Sequence, residues 1–497
     1  MRICLVTEGT YPVHPGGVSD WCDQLVRGLP EVEFAVVALT GSGREPTRYA
    51  RPANLVSVER IGLWAEPPRR RPRPAGPRPR RRREPSAPFV AAYAGLLESV
   101  FHGGTVDGFG DALRELRELG ATVPLTPALR SQTAVDLVVD AASRVPGLDP
   151  TLADGLAVTD LMEHFLRPLQ LAAPRADLVH ATANGPGALL ALLAKWEHDT
   201  PVVLSEHGVY LRERLLASRR EAPSRVARAA LAGFYGALTG LGYRGADEVL
   251  PVSAFNARWA RRGGASAVRV LPNGVDVLPV IEAEPAVPTI VFAGRIDPLK
   301  DLHMLLRAFA RVRERVPQAR LRLFGGTPEG NEGYAASCRA LTAELGLDAA
   351  VDFAGPVSPV TTAFEAGHVV VLSSLSEGLP LTIIEAAMSG RATVGTDVGG
   401  MAEAIGPGGI VVPAGDEAAF ADACVALLTD AGRRADLAAK GRAHALEHFT
   451  RADFLAAVRA IYAAHTAAHT AAHTAAPADP AIVAGAETAD APAGEAS

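Results

Sequence analysis

Val369-Val370-Val371-Leu372-Ser373-Ser374-Leu375-Ser376-Glu377-Gly378-Leu379-Pro380-Leu381-Thr382-Ile383-Ile384-Glu385 is the stretch on which the fold turns. A buried strand runs into a polar loop, and Pro380 opens an apolar helix whose free amides and positive dipole end can hold an anion. Gly378, Leu379 and Pro380 form that helix entry. Glu385 falls in the first turns, where a carboxylate can accept from vicinal hydroxyls such as those of a ribose. Glu377 stays in the loop, where a sugar would lie. An ordinary strand, loop and helix whose acids merely favour the N-terminus has the same local spacing, so the surroundings decide.

Upstream, Ile290-Val291-Phe292-Ala293-Gly294-Arg295-Ile296-Asp297-Pro298-Leu299-Lys300-Asp301 repeats the order strand, glycine turn, helix. Arg295 and Lys300 then project from the carboxyl end of a strand, where two cations can neutralise a diphosphate that gains charge as its substituent departs. Most Arg-plus-Lys loops are only solvated charge pairs. Here lysine is scarce: Lys195, Lys300 and Lys440 stand against 46 arginines. A lysine kept in such a background is a lysine needed as one.

Outward from these segments, apolar runs alternate with helical patterns, the signature of βαβ units and parallel sheets. Strands are expected near 3–7, 34–39, 178–181, 202–205, 249–252 and 268–271, and again near 290–293, 321–324, 351–353, 369–372, 393–395 and 410–412. An α/β protein of two doubly wound, Rossmann-like halves facing a cleft follows, with an N-terminal domain over 1–278, a linker over 279–288 and a C-terminal domain over 289–449. A helix over 450–462 is expected to pack back on the N-terminal domain. Three segments fall outside the pattern: an Arg/Pro-rich loop at 66–88 and a tail at 463–497, both read as disordered, and a helical insertion at 89–170.

Formal charge is −6, but residues 69–83 hold nine arginines and no acid, which leaves 40 basic against 55 acidic residues elsewhere, or −15. No nucleic-acid partner is expected of so acidic a globular part. Cys4, Cys22, Cys338 and Cys424 show no CxxC or CxxH spacing, which argues against a disulfide framework or zinc knuckle and for a reducing compartment. The N-terminus reads as a strand rather than a signal peptide, and no apolar stretch approaches the 18 residues that span a bilayer. A soluble, cytoplasmic protein is expected.

In the first half, Glu8-Gly9-Thr10-Tyr11-Pro12-Val13-His14-Pro15-Gly16-Gly17 follows the first strand. It is not GxGxxG, yet adjacent glycines before a helix let backbone amides approach a ligand. Val202-Val203-Leu204-Ser205-Glu206-His207 places His207 at the end of another strand, aimed at the same cleft. A lone histidine is more often structural; its position makes this one a site candidate. Pro272-Asn273-Gly274-Val275-Asp276 reads as a boundary turn.

Together these segments resemble family 4 of the retaining glycosyltransferases, which have the GT-B fold. The likeness rests on Glu377 to Glu385, Gly294-Arg295 with Lys300, Gly16-Gly17 and the Pro272–Asp276 segment, and covers nearly all of residues 1–450. Within it, Glu8-Gly9-Thr10-Tyr11-Pro12, Gly16-Gly17-Val18-Ser19-Asp20-Trp21-Cys22 and Ser205-Glu206-His207-Gly208-Val209-Tyr210-Leu211-Arg212-Glu213-Arg214 look like the PelF-type exopolysaccharide glycosyltransferases. The resemblance implies UDP-glucose as donor substrate, a glycan acceptor and a membrane-bound polysaccharide synthesis complex as partner. It implies that Arg295 and Lys300 hold the diphosphate, Glu385 the ribose, and Glu377 with His207 the donor sugar, with Gly16-Gly17 closing from the other domain. No cofactor is expected, and no metal, because the chain lacks Asp-x-Asp. An epimerase on the same fold and a nucleotide-sugar-binding scaffold are the rival readings.

Overall fold

The computed structural model describes residues 1–65 and 84–475. Most of the expected Arg/Pro loop therefore lies outside the described residues. Its end does not: Ala87 and Pro88 already belong to the helix Ala87–His102, capped by the Ser86 hydroxyl on the Phe89 amide.

Twelve strands form two six-stranded parallel sheets. The first contains β1 (Arg2–Glu8), β2 (Glu33–Thr40), β3 (Leu55–Gly62), β4 (Leu178–Ala181), β5 (Val202–Glu206) and β6 (Glu248–Pro251), in the order β3-β2-β1-β4-β5-β6. The second contains β7 (Thr289–Ala293), β8 (Arg320–Phe324), β9 (Val351–Gly355), β10 (Val369–Leu372), β11 (Ala392–Thr396) and β12 (Gly409–Val412), in the order β12-β11-β10-β7-β8-β9. The two orders are the same topology. In each the direction of winding reverses beside the first strand, between β1 and β4 and between β7 and β10, and crevices at the carboxyl ends open there. Helices cover both faces, so the central strands are apolar throughout; Val369 to Leu372 are all buried.

Two strand expectations are corrected. Residues 268–271 do not form a regular strand: the segment runs beside β6 through the bridge of Val249 with Val268, with the Arg269 and Leu271 amides donating to the Val249 and Pro251 carbonyls at 3.0 and 2.9 Å. The sixth strand of the first sheet is instead β3, an edge strand in which only Leu55 is buried.

The expected insertion occupies the crossover from β3 to β4 as helices Ala87–His102, Val106–Thr122, Leu125–Leu129, Gln132–Ser143 and Leu152–Phe165, closed by a 3-10 turn at Arg167–Gln170. It packs on the long helix Arg225–Gly245, where Phe234 stacks against Phe165 at 4.9 Å and meets Phe109 edge-on at 5.6 Å. A Cβ at Gly233 would strike the Val100 carbonyl, so this crossing requires glycine.

The last helix, Arg451–Ala475, returns to the first sheet, where Phe454, Val458, Ile461 and Tyr462 join its core. The tail expected to be disordered from 463 is thus helical as far as Ala475, as its alanine content favours; 476–497 lie outside the described residues. His465 extends the contact, 2.9 Å from Glu248. The segment between the halves is tied to the second one. Arg391 donates to the carbonyls of Ile281 at 3.2 Å and Ala283 at 2.6 Å, and Arg434 forks onto Glu284.

Candidate active site

At the crevice of the second sheet, the loops after β7 and β10 are stitched together. Leu375 donates its amide to the Leu299 carbonyl at 2.7 Å, and the Ser373 hydroxyl donates to the Lys300 carbonyl at 2.7 Å. Asp297 caps the 3-10 turn Pro298–Lys300, and Asp301, at φ +44°, caps the helix Leu302–Arg315. This framework presents Lys300 Nζ 2.5 Å from Glu377 Oε1, which also accepts from Ser374 Oγ at 2.5 Å. Both side chains are largely buried, at 18% and 11% exposure. Arg295 differs. It is 66% exposed and only 4.0 Å from Asp297, so it lies at the mouth rather than in the floor.

Pro380 stands at the N-cap position, one place before the helix Leu381–Met388, rather than as its first helical residue. Glu385 lies in the second turn. Burial pushes its carboxyl up to about 7, helped by the carboxylates of Asp20 and Asp276 from the first half. Those two acids were not foreseen, since nothing in the local sequence links them to residue 385.

From the first half, Gly16 and Gly17 begin the helix Gly17–Gly28 with open space where a side chain would stand. Gly16 has φ +153°, which only glycine adopts readily. His207 follows β5 with the Trp21 ring against it at 4.7 Å. Burial holds its pKa down near 4, partly offset by the neighbouring Asn273 side chain, so it is a neutral imidazole at pH 7. Its Nε2 is buried and unpartnered among the described residues, the kind of orphan a ligand satisfies.

The halves touch through these loops. A Cβ on Gly378 would overlap the His207 carbonyl, and Arg212 donates to the Ser376 hydroxyl and the Leu375 carbonyl. Glu403 accepts the amides of Ala254 at 2.7 Å and Phe255 at 3.1 Å across the same gap. Gly378, Leu379 and Pro380 therefore sit where the halves meet, and Lys300, Glu377, His207 and Glu385 belong to one cleft. The sequence assigns no role to Arg212 or Glu213, although both stand in the Ser205–Arg214 motif. Glu213 lies within electrostatic reach of Glu377 and Arg295, and its pKa is raised chiefly by burial.

Two like-wound halves facing each other over such a cleft define the GT-B class of glycosyltransferases. Residues 1–268, more than half of the chain, match the family profile described as Domain of unknown function (DUF3492), and the chain belongs to that family. Residues 287–430 match Glycosyl transferases group 1. Curated relatives include the D-inositol 3-phosphate glycosyltransferases of Nocardia farcinica, 31% identical over 54% of this chain and 58% of that protein, and of Stackebrandtia nassauensis, 38% identical over 31% and 37%. The chain thus spans between about a third and three fifths of the length of these relatives. Among solved structures, sucrose-phosphate synthase from Thermosynechococcus elongatus superposes with TM-score 0.61 at 17% identity, covering 94% of this chain and 99% of the other. Anabaena HepE in complex with UDP-glucose superposes with TM-score 0.59 at 16% identity, covering 93% and 100%. At these identities the likeness is one of fold.

Proposed function

We propose that the chain is a retaining glycosyltransferase that moves a hexose, glucose from UDP-glucose, onto a glycan acceptor in exopolysaccharide synthesis. The observation that carries this reading is the buried Lys300–Glu377 pair at the crevice between β7 and β10, with Glu385 on the next helix. Residues 289–449 would hold the donor and residues 1–278 the acceptor. Lys300, reinforced by Arg295 from the mouth, takes up charge on the leaving diphosphate. Glu385 accepts from the ribose hydroxyls, and the unpartnered His207 Nε2 faces the sugar with Glu377. Gly16-Gly17 closes the backbone over the phosphates, and Gly378 to Pro380 offer the helix entry.

The bond from the anomeric carbon to the diphosphate oxygen breaks as the acceptor oxygen bonds to the same face, and the acceptor's proton passes to the departing phosphate. No protein nucleophile is needed. Two side-chain cations in place of a metal bridge predict that activity survives EDTA. The bound HepE structure and the PelF-type resemblance both support UDP-glucose as donor. Among the described residues no helix is long and apolar enough to cross a membrane; action in the cytoplasm beside a membrane-bound polysaccharide complex is part of the proposal.

Incubation with labelled UDP-glucose, with UDP release and the anomeric configuration of the product both followed, tests it. An α-linked product with stoichiometric UDP is expected. An epimerised nucleotide sugar without UDP release, or binding without turnover of any nucleotide sugar, would overturn it.

A further inference from the structure

The first sheet has a crevice of its own, between β1 and β4, to which the donor chemistry assigns nothing. Glu8 ends β1 there. Beyond β4, Gly185 begins the helix Pro186–His198 with no side-chain cap, so its first amides and positive dipole end are offered to an anion. The anion is supplied by the chain itself: the Gly187 amide donates to Glu8 Oε1 at 2.5 Å. The fit is close, since a Cβ on Gly187 would lie 3.0 Å from that oxygen, and one on Gly185 would strike the Tyr210 ring and hydroxyl. The Tyr210 hydroxyl, packed against Gly185, lies near enough to Glu8 to favour its charged form. Next along the chain, Gly9 has nothing within 4 Å of a built Cβ, so the space beside Glu8 is open there. Arg214, the nearby cation, shares its field with the carboxyls of Glu8 and Glu213.

We propose, building on the transferase reading, that Glu8 is a specificity determinant that occupies the anion-binding helix end of the acceptor crevice, so that the chain takes an uncharged hydroxylated acceptor and rejects a phosphorylated one. The relatives named for D-inositol 3-phosphate take an acceptor carrying the group that this arrangement excludes. A phosphate entering here would lose the Gly187 amide to Glu8 and would face a carboxyl oxygen. A sugar hydroxyl, in contrast, can donate to the Glu8 carboxylate.

The test uses the full chain at pH 8 and separates this claim from the reading beneath it. With UDP saturating the donor site, inorganic phosphate is titrated against wild type, Glu8→Gln and Glu8→Ala by thermal shift, which needs no turnover. Glu8→Ala is expected to gain a phosphate-dependent rise of about 2 °C. Wild type and Glu8→Gln, whose amide still fills the site, are expected to show none. With UDP-glucose as donor, wild type is expected to favour maltose over glucose 6-phosphate at least tenfold in kcat/KM, and Glu8→Ala to lose most of that ratio. A phosphate shift in wild type equal to that of Glu8→Ala, or an unchanged acceptor ratio in a folded Glu8→Ala, would sink the proposal. No UDP release from any sugar donor, alongside the expected phosphate shift, would instead count against the transferase reading alone.

Discussion

Lys300 and Glu377 are paired before any ligand arrives, so on the proposed reading donor binding would redirect the ammonium toward phosphate and leave Glu377 to the sugar. Lys300→Ala removes a cation aimed at the leaving group, and a loss of about a hundredfold in kcat is expected. Arg295→Ala should cost a comparable factor in kcat/KM, with more of it in KM, because an exposed side chain at the mouth meets the diphosphate before the chemical step. Steady-state kinetics on both folded variants check this. Glu385 gives a pH signature. Its carboxyl titrates near 7, and the ionised form is the better acceptor for ribose hydroxyls, so donor KM should fall as pH rises from about 6 to 8. Glu385→Gln should flatten that profile and hold KM high; a wild-type KM independent of pH would refute the assignment. Lys300 and Glu377 were legible because each stands in the loop that follows a buried strand, and Glu385 because it lies on the helix which that second loop enters. Glu8 was visible only as part of a motif. Its role depends on Gly187, 179 residues further along, and local spacing does not encode such a partner.

Among the elements, the return of the last helix carries the clearest energetic consequence. Tyr462 is fully buried, and its hydroxyl meets His180 Nδ1 at 2.6 Å, while His180 Nε2 meets Ser205 Oγ at 2.8 Å. Tyr462→Phe leaves a buried nitrogen unpaired and should cost about 1–3 kcal/mol of stability by chemical denaturation. At the other end of the cleft, Gly378→Ala would drive a methyl into the His207 carbonyl. The variant should fold with a near-native melting temperature yet lose at least about tenfold in kcat, since misplacing reacting groups by an ångström has that scale of effect. Element legibility followed burial. The runs that became β7 and β10 lie inside a sheet and are apolar and buried throughout. The strand Leu55–Gly62 escaped notice because, at an edge, its polar residues face water, as Ser57, Glu59 and Arg60 do. Conversely, 268–271 is apolar enough for a strand and hydrogen-bonds along β6, but only Val268 completes a bridge.

For the whole molecule, several buried acids set a pH dependence of folding. Glu8 and Glu385 are raised to about 7 and Glu206 to about 8, in each case mainly by burial. A raised folded-state pKa gives stability that is full below the unfolded value and is lost as pH climbs through the folded one. Below about 6.5 the depressed histidines, His180 near 3 and His207 near 4, work in the opposite sense, since the unfolded chain gains protons that the folded chain refuses. Between pH 6.5 and 8.5 only the acids of this set act, so the melting temperature of the ligand-free protein should fall across that window. Glu206→Gln, which keeps an acceptor for the Tyr243 hydroxyl, should reduce the slope, and calorimetry on both proteins measures it.

Among the described residues the main chain passes between the halves twice, and the two passages lie side by side. Val275 donates to the Phe449 carbonyl at 2.8 Å and accepts from the Arg451 amide at 2.9 Å. Because Arg391 and Arg434 fasten 281–284 to the second half, slack in that linker contributes nothing to opening. Any opening of the cleft would therefore have to turn about the Val275–Thr450 bridge, as a door turns on the pin of a two-leaf butt hinge, with both passages twisting together. Gly274 sits against the pin, with the Arg451 backbone and Phe454 filling the space of any side chain. Thickening it would bind the door at one angle, whereas lengthening the fastened linker would leave the swing as it is.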